Sequence, residues 1–209
     1  MRLWIRYSAY LIVITCCSVA SAGAYDDFFV AVKRNDGRTV SALLERGFDP
    51  NTRDPKGQLG LILALQAENL AVAEALIARP ETQVGLLNPA GESALMMAAL
   101  KGQFEWSQRL LARDAPVNQA GWTPLHYAAT GPEPKIVRLL LERGAVVDAE
   151  SPNRTTPLMM AARYGKEESV MLLLAAGADR KRTSDMNLNA ADHAQQAGRE
   201  SLAAALSKP

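Results

Sequence analysis

Residues 121–129 read Gly121-Trp122-Thr123-Pro124-Leu125-His126-Tyr127-Ala128-Ala129, and Ile136-Val137-Arg138-Leu139-Leu140-Leu141-Glu142-Arg143-Gly144-Ala145 follows them. Each residue type has a local physical task. The Thr123 hydroxyl can accept a hydrogen bond from the free amides of a first helical turn. Pro124 then takes the first helical position, where its missing N–H removes nothing. Leu125, Ala128 and Ala129 form an inward stripe, and the alanines are small enough for a neighbouring helix to approach closely. Leu139, Leu140 and Leu141 supply the apolar face of a second helix, which Gly144 can end in the left-handed conformation. The stretch predicts a helical hairpin. A hairpin this short cannot bury both faces, so it must stack on further copies of itself.

Such copies exist. With Thr123 as the marker, equivalents fall at Asp26, Leu59, Ser93, Thr123, Thr156 and Asn189, at intervals of 33, 34, 30, 33 and 33 residues. The fifth copy reads Thr155-Thr156-Pro157-Leu158-Met159-Met160-Ala161-Ala162 and closes on Leu172-Leu173-Leu174-Ala175-Ala176-Gly177-Ala178. The third reads Gly91-Glu92-Ser93-Ala94-Leu95-Met96-Met97-Ala98-Ala99, with Leu110-Leu111 closing it. The first two copies are weaker but keep Leu43-Leu44 before Arg46-Gly47, and Leu76-Ile77 before Arg79-Pro80. This resembles the ankyrin repeat, whose pattern is Gly-x-Thr-Pro-Leu-His-x-Ala-Ala followed by a Val-x-x-Leu-Leu helix ending in Gly-Ala.

The resemblance implies an all-α ankyrin-repeat solenoid of about six helix-turn-helix repeats over residues 25–207, with degenerate copies capping the ends. The expected repeats are 25–53, 54–87, 88–117, 118–150, 151–183 and 184–207. Thr123, Pro124, Leu125, His126, Gly144, Thr156, Pro157, Leu158 and Gly177 are then structural motif residues. The end copies should be polar, and Asp26-Asp27 opens the first while Asn187, Asn189, Asp192, Gln195 and Gln196 decorate the last. Three places break the pattern: Pro80 and Thr82 at the end of copy two, Asp114 in place of the usual glycine, and Gly131-Pro132-Glu133-Pro134 between the helices of copy four. Bends or local loosening are expected there.

The N-terminus reads differently. Arg2 and Arg6 precede a short apolar stretch containing Leu11-Ile12-Val13-Ile14, and Ala20-Ser21-Ala22 then Gly23-Ala24 follow. That order reads as a secretory signal peptide over 1–22, with cleavage after Ala22 or alternatively after Ala24. The alternative is an uncleaved inner-membrane anchor, which the short core diluted by Ser, Thr and Ala disfavours. Cleavage would leave no stable membrane span and a periplasmic or secreted chain. Cys16 and Cys17 are the two cysteines of the sequence, so the mature chain would contain neither disulfide nor thiolate site. Thr15 before Cys16 argues against lipidation. Removing 1–22 leaves 21 basic against 22 acidic residues, a balance that offers nothing to nucleic acid.

No catalytic centre, cofactor site or metal site is legible. His126 holds the ankyrin histidine position, where the resemblance implies a ring bonded to the neighbouring threonine and backbone. His193 has no second histidine or cysteine near it with ligand spacing. Acid pairs such as Glu167-Glu168 lack the walled cleft that shifts one carboxyl pKa. No Gly-x-Ser-x-Gly elbow and no phosphate-binding glycine loop occurs. The run Arg180-Lys181-Arg182 reads as a solvated loop tip, or alternatively as a contact for an acidic partner or an anionic membrane surface.

What remains is binding. Resemblance to ankyrin proteins implies a protein partner held across a concave face of loop tips and first helices. The residues at those positions are Lys56, Gln58, Glu92, Trp122, Asn153 and Thr155 on loops, and Lys101, Arg163 and Tyr164 on helices. Ala90, Met186, Leu188, Gln66 and Leu100 extend the same face. Trp122 reads either as a partner anchor, with Arg163 and Tyr164 one repeat away, or as a side chain packed on the neighbouring loop, whereas Trp106 reads as core. The expectation is a non-catalytic interaction scaffold of the bacterial periplasm whose partner is an envelope protein. Alternatives are an immunity or inhibitor protein for an exported toxin or enzyme and, more remotely, an enzyme using His126.

Overall fold

Pro124 and Pro157 open two helices at their first positions, as their fixed φ favours. The same helix-turn-helix logic repeats throughout the computed structural model, which describes residues 23–208. The signal-segment reading of 1–22 and both cysteines lie outside those residues. The chain divides between Gln83 and Val84 into two compact units. That division falls directly after Pro80 and Thr82.

The first unit contains a helix over 23–33 (α1), then α2 (Gly37–Glu45), α3 (Gly60–Gln66) and α4 (Leu70–Ile77). Asp26, placed by the sequence at a helix cap, lies instead inside α1. Phe28 explains the shift: it packs on Phe29 and stacks on Phe48 with centroids 4.6 Å apart, and this aromatic cluster anchors the first copy. Leu59, the second marker, is a buried apolar residue that caps nothing.

The second unit holds α5 (Ala94–Leu100), α6 (Phe104–Leu111), α7 (Pro124–Thr130), α8 (Pro134–Glu142), α9 (Pro157–Tyr164), α10 (Glu167–Ala175), α11 (Ala190–Gln196) and α12 (Glu200–Leu206). The first helices α5, α7, α9 and α11 pack in series, and α6, α8 and α10 form a second row. Among the described residues there is no extended strand, only isolated bridges at Arg53–Leu59 and Leu87–Ser93.

Small residues set the spacing. Ala98, Ala99, Ala128, Ala129, Ala161 and Ala162 are fully buried along the first helices. Gly131 and Gly165 end α7 and α9 where the preceding repeat's backbone comes close. A Cβ on Gly165 would press into the Ala129 carbonyl oxygen, and one on Gly131 into that of Ala99. The second helices end as expected, Gly144 at φ 82° and Gly177 at φ 90°. Asp114 adopts φ 59° at the equivalent place, a conformation that Asp tolerates better than most non-glycine residues. The rebuilt turn in copy four works through Glu133, whose carboxylate accepts the Lys135 N–H ahead of Pro134.

Polar side chains tie copies together where backbone groups would otherwise lack partners. Asn118 donates to the Gly144 carbonyl and accepts the Val146 N–H. Arg199 donates to the carbonyls of Ala161, Ala162 and Gly165, closing the C-terminal end of α9 from α12. Trp106 is buried, with the Arg109 guanidinium 4.4 Å from its ring centroid.

Candidate partner-binding face

The caps position this face. Ser93 and Thr156 accept the N–H of Met96 and Met159, whose sulfurs accept the cap N–H in return. In copy four the reciprocal contact runs through an imidazole. His126 Nδ1 accepts the Thr123 N–H at 3.2 Å and lies 2.9 Å from the Thr123 hydroxyl. Its Nε2 lies 2.9 Å from the Thr155 carbonyl, which can only accept, so Nε2 carries the proton. The ring is fully buried and burial pushes its pKa down, so it remains neutral. Both nitrogens are engaged and the side chain is buried.

Trp122 stands just ahead of this cap, half-buried, with its ring edge-on to His126 at 5.2 Å. It lines a cleft of about 270 Å³ with Leu100, His126, Tyr127, Thr130 and Met160. The Tyr127 hydroxyl donates to Glu92 at 2.9 Å, and burial together with the Glu92 charge pushes the phenol pKa up. Glu92 is thus bonded to a residue of the cleft wall, although it does not itself line the cleft.

The other expected residues are arranged differently. Lys56 is exposed and Gln58 half-buried on a hairpin tip of the first unit, and Lys101 is exposed at the end of α5. Asn153 is exposed and accepts the Ser151 hydroxyl. Thr155, expected at the surface, is buried, because its carbonyl closes the His126 link between copies. Arg163 and Tyr164 do not line the Trp122 cleft. The Arg163 guanidinium donates to Gln196 on α11 and lies over the Tyr164 ring, while Tyr164 itself is 61% exposed.

The basic run is largely engaged. Arg182 pairs with Glu150 and Asp148, and Arg180 donates to the Lys208 carbonyl. His193 is buried, and neither ring nitrogen has a hydrogen-bond partner among the described residues. Burial and the charge of Arg163 push its pKa down. Among the described residues no group of three metal-ligating side chains occurs, and no helix is long and apolar enough to cross a membrane.

Sequence reasoning missed Tyr127, Thr130 and Met160. Tyr127 and Met160 fill the variable position of the Thr-Pro-Leu-His-x-Ala-Ala pattern, and an apolar or aromatic residue there in successive copies was the available signal.

A family model described as ankyrin repeats (3 copies) matches residues 28–114, 61–151 and 135–208. The chain belongs to the ankyrin-repeat family. The ankyrin repeat protein YahD of Escherichia coli is 30% identical, the match covering 73% of this chain and 96% of that protein. Human neurogenic locus notch homolog protein 4 is 43% identical over 43% of this chain and 5% of its own length. ZDHHC13 of Danio rerio, named as a palmitoyltransferase, is 30% identical over 79% of this chain and 21% of its own length. The chain thus spans a small part of these last two relatives. As an ankyrin-repeat protein it is a row of hairpins, each packed on its neighbours.

Proposed function

We propose that this ankyrin-repeat protein is exported to the bacterial periplasm and there binds an envelope protein, without catalysis, on the face formed by its hairpin tips and first helices. The Trp122 cleft carries the reading. It is an apolar recess around a half-exposed tryptophan, the residue type most enriched among interface anchors, and interface anchors fill such pockets. Exposed Leu100, Tyr164 and Met186 add apolar area at tip and first-helix positions of the same unit. Export is supported by Arg2, Arg6, the apolar core and Ala20-Ser21-Ala22. The near full-length match to a bacterial ankyrin protein supports the bacterial setting.

The test is in-cell cross-linking in the producing bacterium, with mass spectrometry of the product and N-terminal sequencing of the purified protein. A start at residue 23 or 25 and an envelope protein lost on Trp122→Ala are the expected results. An intact Met1 would overturn export. A partner retained at full yield by Trp122→Ala would overturn the assigned face.

A further inference from the structure

Glu92 is a half-buried carboxylate whose side-chain partners among the described residues are neutral. Its Oε1 accepts the Tyr127 hydroxyl at 2.9 Å and its Oε2 accepts the Asn88 side-chain amide at 2.8 Å. Both donors are neutral, and no lysine or arginine among the described residues forms an ion pair with it. A carboxylate offers about four lone-pair positions, so two bonds fix its orientation and leave acceptor capacity open. Its partner Tyr127 lines the Trp122 cleft, which has two aromatic rings (Trp122 and Tyr127) and apolar walls from Leu100 and Met160. Aromatic faces carry negative potential and attract cations. On α9 the Arg163 guanidinium is turned toward Gln196 and Tyr164. Aliphatic walls, aromatic faces and an uncompensated acid together suit one chemistry: a cation on an apolar stem.

We propose that the cleft receives an arginine side chain of the partner, its methylenes against Leu100 and Met160 and its guanidinium stacked on Trp122 and paired with Glu92. The proposal rests on the partner-face reading above. Arginine fits better than lysine because its planar guanidinium both stacks on rings and meets a carboxylate through two parallel hydrogen bonds.

The experiment is an NMR titration of the purified protein with N-acetyl-arginine methylamide, following the indole N–H of Trp122, with buried Trp106 as internal control. A saturable shift of Trp122, absent for Trp106, is expected. N-acetyl-leucine methylamide should give no saturable shift. Glu92→Gln, which keeps an acceptor for Tyr127, should weaken arginine binding about tenfold, and a thermal melt checks that the variant is folded. Equal or better binding of the leucine amide would overturn the proposal, as would an unmoved Trp122 or wild-type affinity in Glu92→Gln. The wild-type comparison of the two amides needs no variant. Arginine binding without any cross-linked partner would sink the partner-face reading alone. A cross-linked partner with no arginine binding would sink only this proposal.

Discussion

Replacing His126 by methionine separates two jobs that one ring performs. In copies three and five Met96 and Met159 hold the same position, and their sulfurs accept the cap N–H at 3.4 and 3.5 Å. His126→Met should therefore keep the cap closed and lose only the bond to the Thr155 carbonyl. That carbonyl also accepts the Ser151 N–H at 3.0 Å, so it is not left bare. The expected loss is about 1 kcal/mol, the net worth of one hydrogen bond. His126→Ala differs. It leaves the buried Thr123 N–H without the Nδ1 acceptor and opens a cavity, so about 4 kcal/mol is expected.

The pH dependence gives an independent reading. The folded pKa of His126 lies below its ordinary value, so below pH 6.5 the unfolded chain binds a proton that the folded chain resists. Stability from this residue is complete above about pH 6.5 and falls as pH drops toward the folded pKa. His126→Met should flatten that acid slope by up to about 1.4 kcal/mol per pH unit, while His193 retains its own share. Urea unfolding followed by circular dichroism across this range measures both effects. Equal destabilisation by Met and Ala at neutral pH, or an unchanged acid slope in His126→Met, would refute the reasoning.

Gly165→Ala should destabilise the protein by about 3 kcal/mol in urea melts, since the added Cβ meets backbone that cannot shift. Gly144→Ala, with open space around it and only a positive φ to resist, should cost about 1 kcal/mol. Arg199→Met should remove the cap over Ala161, Ala162 and Gly165 and raise hydrogen exchange in α11 and α12 selectively; uniform protection would contradict that role. Trp122→Ala should change stability by less than about 1.5 kcal/mol while abolishing the cross-linked partner, and a large melting shift would instead make it a core residue.

The helices, their caps and their stops were legible from residues 121–129 and the period they announced. Thr123, Pro124 and Gly144 act within one or two turns of themselves, so their effects can be read along the chain. Even Asp114 could be picked out, because the place it occupies in the repeat demands a left-handed residue. Asp26 failed as a cap marker because an aromatic cluster, and no periodic rule, organises the first copy.

The candidate site was only partly legible. Trp122 and Glu92 could each be named from their place ahead of a cap, but not related, since Glu92 reaches the cleft wall only through Tyr127, 35 residues further along the chain. Thr155 looked like a free tip residue until the His126 bond drew its backbone inward. Arg163 looked like a neighbour of Trp122 until its guanidinium turned to α11. By itself the sequence determined that this protein is a stack of helical hairpins, because capping, helix breaking and apolar periodicity act locally. Only the tertiary structure decided which side chains share a cleft, because that depends on how neighbouring copies pack and on which polar groups their contact leaves without water.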